Sequence, residues 1–259
     1  MARVMKKEYQ SSRYVRDIKS ANSWSMFKII TDFIGGFDAL GDLGPSVTVF
    51  GSARTDENHP YYKQAQELSS KLAQRGYNVI TGGGPGIMEA ANRGAFEHEN
   101  AESIGLNIDL PMEQSINPYV TKEKTFEYFF SRKVMLVKYS MAYVIFPGGF
   151  GTLDEMFEAL TLIQTRKVWG VKLFVVGTEF YEPLMEFLRT KLAGEGMIDE
   201  RDMELINLTD DLDEVVRGIE KSLVKQMLTM EREGLQDTSY YKVLNEYMKE
   251  KLKRDSDIL

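Results

Sequence analysis

Nine consecutive residues bring together the requirements of an anion site and a carboxylate: Pro147-Gly148-Gly149-Phe150-Gly151-Thr152-Leu153-Asp154-Glu155. The apolar run 142–146 before them predicts a buried parallel strand. Met156 to Thr165 after them predicts a helix. A strand stops, a glycine loop turns and a helix starts. Backbone N–H groups at the positive end of a helix dipole favour a phosphate. Gly148, Gly149 and Gly151 would admit a ligand where a Cβ would block it. Thr152 and Glu155 also match a capping box, in which Glu155 would bond the Thr152 N–H and do no chemistry. Their place at the ligand edge of a parallel sheet favours chemistry instead. A carboxylate near a helix N-terminus is expected to stay ionised. It would then suit stabilising a positive ribosyl centre or orienting the water that attacks it.

Three other segments fall at the same edge. Thr81-Gly82-Gly83-Gly84-Pro85-Gly86-Ile87-Met88-Glu89 joins another strand to another helix. Within it Gly83, Gly84, Met88 and Glu89 are candidate ligand contacts. A dinucleotide fingerprint fits poorly, because Ile87 stands where the third glycine belongs. A tight structural turn and a mononucleotide site shared with the 147–155 loop are the other readings. Ser131-Arg132-Lys133 opens a further predicted helix. Arg132 can grip a phosphate or carboxylate through two parallel hydrogen bonds, and Lys133 adds a point charge. Basic residues at a helix start oppose the dipole, so either a solvated helix end or a bound anion explains them. In Gly51-Ser52-Ala53-Arg54, Ser52 can bond a phosphate or base, or simply end a strand.

The elements that must position these segments follow from periodicity. Strands are predicted at 47–50, 77–80, 103–108, 142–146 and 172–176, with a short one at 125–129. Helices are predicted at 60–75, 85–98, 132–140, 156–165, 180–192, 210–231 and 240–253. Trp24, Phe27, Ile30 and Ile34 recur at helical spacing, with Gly35-Gly36 as a break. This alternation predicts an α/β fold, a doubly wound parallel sheet with helices on both faces and added N- and C-terminal helices. The expected division is an extension over 1–45 with loosely ordered first residues, a catalytic domain over 46–207 and a helical extension over 208–259.

Composition narrows the function. The chain has 259 residues, a net charge of −7 and a pI near 5.1, which argues against a general nucleic-acid or anionic-membrane binder. It has no cysteine and only His59 and His98, so no thiolate or histidine metal site and no Cys nucleophile are expected. No apolar run of about 18 residues exists to span a bilayer, and no signal segment is visible, so a cytoplasmic protein is expected.

In order and spacing, Gly82 to Glu89, Ser131-Arg132-Lys133 and Pro147 to Glu155 resemble the Lonely Guy (LOG) family, whose hallmark is PGGxGTxxE. The resemblance covers about residues 46–195. It implies a Rossmann-like fold and phosphoribohydrolase activity, without a cofactor, on nucleoside 5′-monophosphates: AMP or its N6-substituted cytokinin forms. Arg132 and Glu155 would be the catalytic pair, and Gly148, Gly149, Gly151 and Thr152 would hold the phosphate. A homodimer or a larger assembly, up to a hexamer, is implied as well. Glu89, Phe129-Phe130 and the absence of a cysteine before Gly51-Ser52 depart from the plant-type pattern, and Pro85-Gly86 and Glu89 look more like larger bacterial nucleotide nucleosidases. Relatives often carry the label lysine decarboxylase, but no lysine here has a context that argues for a Schiff base. The competing classes are a nucleotide sensor or carrier without turnover and an NAD(P)-dependent oxidoreductase.

Overall fold

The computed structural model describes residues 23–109 and 116–256. The expectation of loosely ordered first residues lies outside them. In chain order the elements are α1 (Ser23–Leu40), β1 (Ser46–Phe50), α2 (Pro60–Gln74), β2 (Asn78–Thr81), α3 (Ile87–Phe96), β3 (Ser103–Ile108) and β4 (Lys122–Phe126). They continue with α4 (Phe129–Lys138), β5 (Ala142–Ile145), α5 (Phe150–Gln164), β6 (Lys172–Val175), α6 (Thr178–Phe187), β7 (Ile206–Leu208), α7 (Leu212–Arg232) and α8 (Ser239–Ser256). A π turn at Leu188–Ala193 extends α6.

The strands form one seven-stranded sheet in the order β4-β3-β2-β1-β5-β6-β7, every pair parallel. This is the predicted Rossmann-like α/β fold. The chain winds outward from β1 through β4, then crosses back to lay β5 on the other side of β1. That reversal opens a crevice beyond the carboxyl ends of β1 and β5.

The central strands are apolar on both faces because helices cover both. Ala142, Val144 and Phe146 point into a core shared with α2, α3, α7 and α8. Tyr143 and Ile145 point into the opposite core, with α4, α5 and α6. Each fully buried Val, Ile or Phe contributes about 1.5–3 kcal/mol, so the alternation along β5 fixes its register and the position of the loop that follows.

Three of the differences from expectation have a plain physical reason. α1 runs through Gly35-Gly36 instead of breaking there. The glycines are tolerated because neighbours press on them: a Cβ at Gly36 would lie 2.8 Å from Met135 Cε and 3.0 Å from Phe126 Cε1. β4 occupies 122–126, earlier than predicted, since Lys122, Glu123 and Lys124 make it a charged edge strand without apolar alternation. The three residues of β7 were not predicted, being too few to carry a period.

α2 and α3 pack closely at Gly94, where a Cβ would collide with the Gln66 carbonyl and lie 2.9 Å from Ser70 N. Both obstacles are backbone and cannot rotate away. Gly94→Ala is expected to lower stability by about 1–3 kcal/mol, read as a lower urea midpoint at unchanged slope. An unchanged midpoint would contradict this packing.

Candidate functional site

The site is built on the loops at the switch point. Ser52, just past β1, donates its N–H to the Pro147 carbonyl at 3.0 Å. Its own carbonyl accepts the Ile87 N–H, also at 3.0 Å. One residue therefore joins the β1 loop, the β5 loop and the start of α3. Gly86 makes this approach feasible: its φ is +69°, and a Cβ there would collide with the Ser52 carbonyl. The Ser52 hydroxyl accepts the Arg54 N–H at 3.1 Å, so it serves its own turn. The Ser52 carbonyl also takes the N–H with which α3 would meet a pyrophosphate, which weighs against the dinucleotide reading.

α5 begins at Phe150 with Gly149 at its N-cap, so Thr152 and Glu155 are its third and sixth residues. The capping box does not form. Gly149 brings no side-chain acceptor, and the first-turn N–H groups are left for an external one. Gly148 is required by packing, because a Cβ there would collide with Thr152 Oγ1 and lie 3.0 Å from Ser52 N. Gly149 and Gly151 are not: a Cβ on either meets nothing within 4 Å. The space above these two glycines is open, as a ligand-binding loop needs.

α4 starts at Phe129, ahead of the predicted Arg132, so Arg132 stands in its second turn. Its guanidinium reaches across to β2, where a Cβ on Gly82 would collide with Arg132 Nη2 and lie 2.7 Å from Met88 Sδ. Arg132 Nε is buried and has no hydrogen-bond partner. Burial pulls the guanidinium below its ordinary pKa, opposed by the charge of Glu155, though an arginine remains protonated. Glu155, 9% exposed, faces the same region. Burial pushes its carboxyl up to about 7, against the pull of Lys133 and Arg132 and with a further push from Glu158 and Asp154. This corrects the expectation of a firmly ionised carboxylate: Glu155 sits one turn too deep for the helix end to outweigh its desolvation. Lys133 bonds Asp154 and Glu158, each at 2.7 Å. Burial lowers its pKa, but the two carboxylates outweigh this and hold it above the usual lysine value. That environment opposes a Schiff-base lysine.

The second glycine loop is held by groups that the sequence reading missed. Asn117 Nδ2 donates to the Gly83 and Gly84 carbonyls at 3.1 and 3.0 Å and to Asn92 Oδ1 at 2.9 Å. Thr81 Oγ1 also donates to Asn92 and accepts the Gly83 N–H. The available signals were Asn92 alone among Ala90, Ala91 and Ala95 on a buried helical face, and the turn-forming Asn117-Pro118 pair. Met88 and Glu89 lie on the first turn of α3, and Glu89 accepts the Tyr62 hydroxyl at 3.1 Å. The switch point thus gathers Ser52, Gly82 to Glu89, Arg132 and the 147–155 loop. Lys133 is turned toward carboxylates.

A cavity of about 870 Å³ lies at the opposite edge of the sheet, among Ser46, Ser140, Trp169, Gln226 and Tyr240. Its polar groups are already used, Gln226 Nε2 by the Gly170 carbonyl and Ser140 Oγ by Leu136 O. Among the described residues no three His, Asp or Glu side chains gather as a metal site, and no helix is long and apolar enough to cross a membrane.

Fold and site define a Rossmann-like protein with an anion-competent crevice at its switch point. A family model described as "Possible lysine decarboxylase" matches residues 88–219, just over half of the chain, and the chain belongs to that family, the LOG family. A cytokinin riboside 5′-monophosphate phosphoribohydrolase of Arabidopsis thaliana, LOG7, is 28% identical over 180 residues, 68% of this chain and 81% of the relative. The pyrimidine/purine nucleotide 5′-monophosphate nucleosidase of Escherichia coli K12 is 27% identical over 197 residues, 71% of this chain and 42% of that longer protein. Among solved structures, the Moco carrier protein of Chlamydomonas reinhardtii has a TM-score of 0.52 at 22% identity, covering 71% of this chain and 99% of that one. That likeness is one of fold.

The raised Glu155 pKa has a consequence for stability. Relative to the ordinary 4.5, the folded protein holds this proton more tightly than the unfolded chain does. The stabilisation is full below about pH 4.5 and is lost as pH rises through about 7. Wild type should lose up to about 3 kcal/mol relative to Glu155→Gln between pH 4.5 and 8, measured by denaturant unfolding. A difference that stays flat with pH would contradict the burial of this carboxyl.

Proposed function

We propose that the protein is a nucleotide N-glycosidase: nucleoside 5′-monophosphate plus water gives free base plus ribose 5-phosphate. The observation that carries the reading is the pairing of two unmet demands across one crevice. The uncapped N-terminus of α5 lacks an acceptor, and the buried Nε of Arg132 lacks a partner, beside the buried carboxyl of Glu155. A nucleoside monophosphate has a phosphate for the first and further acceptors for the second. Gly148, Gly149, Gly151 and Thr152 bind the phosphate at the helix N-terminus. With the phosphate anchored, the sugar C1′ faces Glu155. The C1′–N bond breaks as positive charge develops on the ribosyl ring, and ionised Glu155 stabilises that charge and takes a proton from the attacking water. Arg132 anchors the nucleotide or assists departure of the base, which leaves with a proton. Ser52, Gly83, Gly84, Met88 and Glu89 line the remainder, and Lys133 holds the charge balance around Glu155.

The names of the relatives support this substrate class. Cytokinin ribotides are named for the plant relatives and purine and pyrimidine monophosphates for the bacterial one. Pro85-Gly86 and Glu89, which resemble the larger bacterial nucleosidases, support AMP and other unmodified nucleotides as substrates. The catalytic unit is 46–207, flanked by extensions at 1–45 and 208–259. A cytoplasmic homodimer or larger assembly completes the proposal, supported by exposed Trp24, Phe27, Phe129, Phe130 and Val134 on α1 and α4.

Chromatography of purified protein incubated with AMP and with N6-isopentenyl-AMP tests the reading. Free base should appear with wild type, and Glu155→Gln should lower its rate by about 10²–10⁴-fold. The wild-type rate at low substrate should rise with pH through about 7, as Glu155 loses its proton. Nucleotide that binds tightly and stays intact would replace the enzyme with a carrier or sensor. Efficient cleavage by Glu155→Gln would remove Glu155 from the mechanism.

A further inference from the structure

The helix that presents Arg132 has no cap of its own. Tyr128 occupies its N-cap position without a side-chain acceptor, and its first turn holds no acidic residue. Arg132 and Lys133 then crowd positive charge toward the positive end of the dipole. An acceptor just ahead of the helix comes from α1. Asp32, 8% exposed, accepts the backbone N–H of Glu127 at 3.2 Å and of Tyr128 at 3.1 Å. It also accepts the hydroxyl of Ser131, 99 positions along the chain and adjacent to Arg132. The rest of α1 braces the same helix: the Phe33 and Phe130 rings lie 6.2 Å apart, Gly36 is pressed against Met135, and Lys28 pairs with Glu127 at 3.0 Å.

A carboxylate with three donors in this position does what the N3 carboxylate of a capping box does: it takes the N-cap N–H, here from another element. It satisfies donors at the turn into α4 and offsets the two cations on its first turns. The backbone it fixes runs directly into Arg132, whose guanidinium has no protein hydrogen bond at Nε to hold its aim. The aim of Arg132 therefore depends on where its helix begins. We propose that Asp32 is a positioning residue for Arg132: the first described helix supplies the carboxylate that sets where the buried guanidinium stands over Gly82.

The activity arm of the test rests on the nucleotide N-glycosidase reading; the structural arm does not. Asp32→Ala removes the acceptor, and Asp32→Asn keeps the shape without the charge, which covers the case in which the alanine variant fails to fold. Amide hydrogen exchange over residues 127–133 should quicken roughly tenfold or more, with exchange in the central strands unchanged. The value of kcat/KM for AMP should fall roughly tenfold. In an Arg132→Lys background, adding the Asp32 substitution should cost less than about twofold, because the guanidinium it positions is gone. Losses that multiply in the double variant, or exchange over 127–133 that does not change, would overturn the proposal. If wild type cleaves no nucleotide, the function falls separately. Asp32 is then decided by exchange over residues 127–133, expected to quicken in both Asp32 variants and unchanged if Asp32 positions nothing.

Discussion

Both backbone groups of Ser52 are spent on other loops, and the site depends on that. Its N–H holds the β5 loop and its carbonyl holds the start of α3. Each bond alone contributes about 0.5–1.5 kcal/mol. Their larger effect is geometric. They bring the 147–155 loop and the 82–89 loop to one crevice, at the only place where a doubly wound sheet parts its loops. Gly86 and Gly148 are the residues that let the backbones come this near.

Around that crevice the protein keeps charge in places that cost stability. The Arg132 guanidinium is buried with Nε unmatched, and Glu155 is buried deeply enough to resist ionising. A core built for stability alone would neutralise or pair such groups. Here Lys133, which could have paired with Glu155, is held by Asp154 and Glu158. Both buried side chains thus remain available to a ligand. Buried charge left unpaired at one edge of an otherwise well-packed sheet is a common arrangement of a functional site.

Much of this was legible in the sequence, for identifiable reasons. Buried parallel strands such as 142–146 are continuous apolar runs, so the sheet could be read directly. The glycine loops announced themselves through residue types that only a ligand or a close approach demands. What escaped depends on contacts between distant segments. Gly35-Gly36 read as a break because the pressure of Met135 and Phe126 on them is tertiary. The Thr152–Glu155 capping box had the right spacing, but the helix starts three residues earlier than that box requires, with Gly149 at its N-cap. The ionisation of Glu155 was misjudged because helix position can be read from spacing and burial cannot. Asn92 and Asn117 left only faint signals, since their roles lie in one another and in the carbonyls of Gly83 and Gly84. The LOG resemblance was carried by the loops, where Gly86 and Gly148 are set by close packing and Gly149 and Gly151 stand in open space.

The most direct test of the central claim is a crystal structure of the Glu155→Gln protein with AMP. The account predicts the phosphate within hydrogen-bonding distance of the first-turn N–H groups of α5, a polar atom of the nucleotide near Arg132 Nε, and the sugar C1′ facing residue 155. A phosphate held instead by the Gly82–Gly84 loop, or a nucleotide bound away from residue 155, would contradict it.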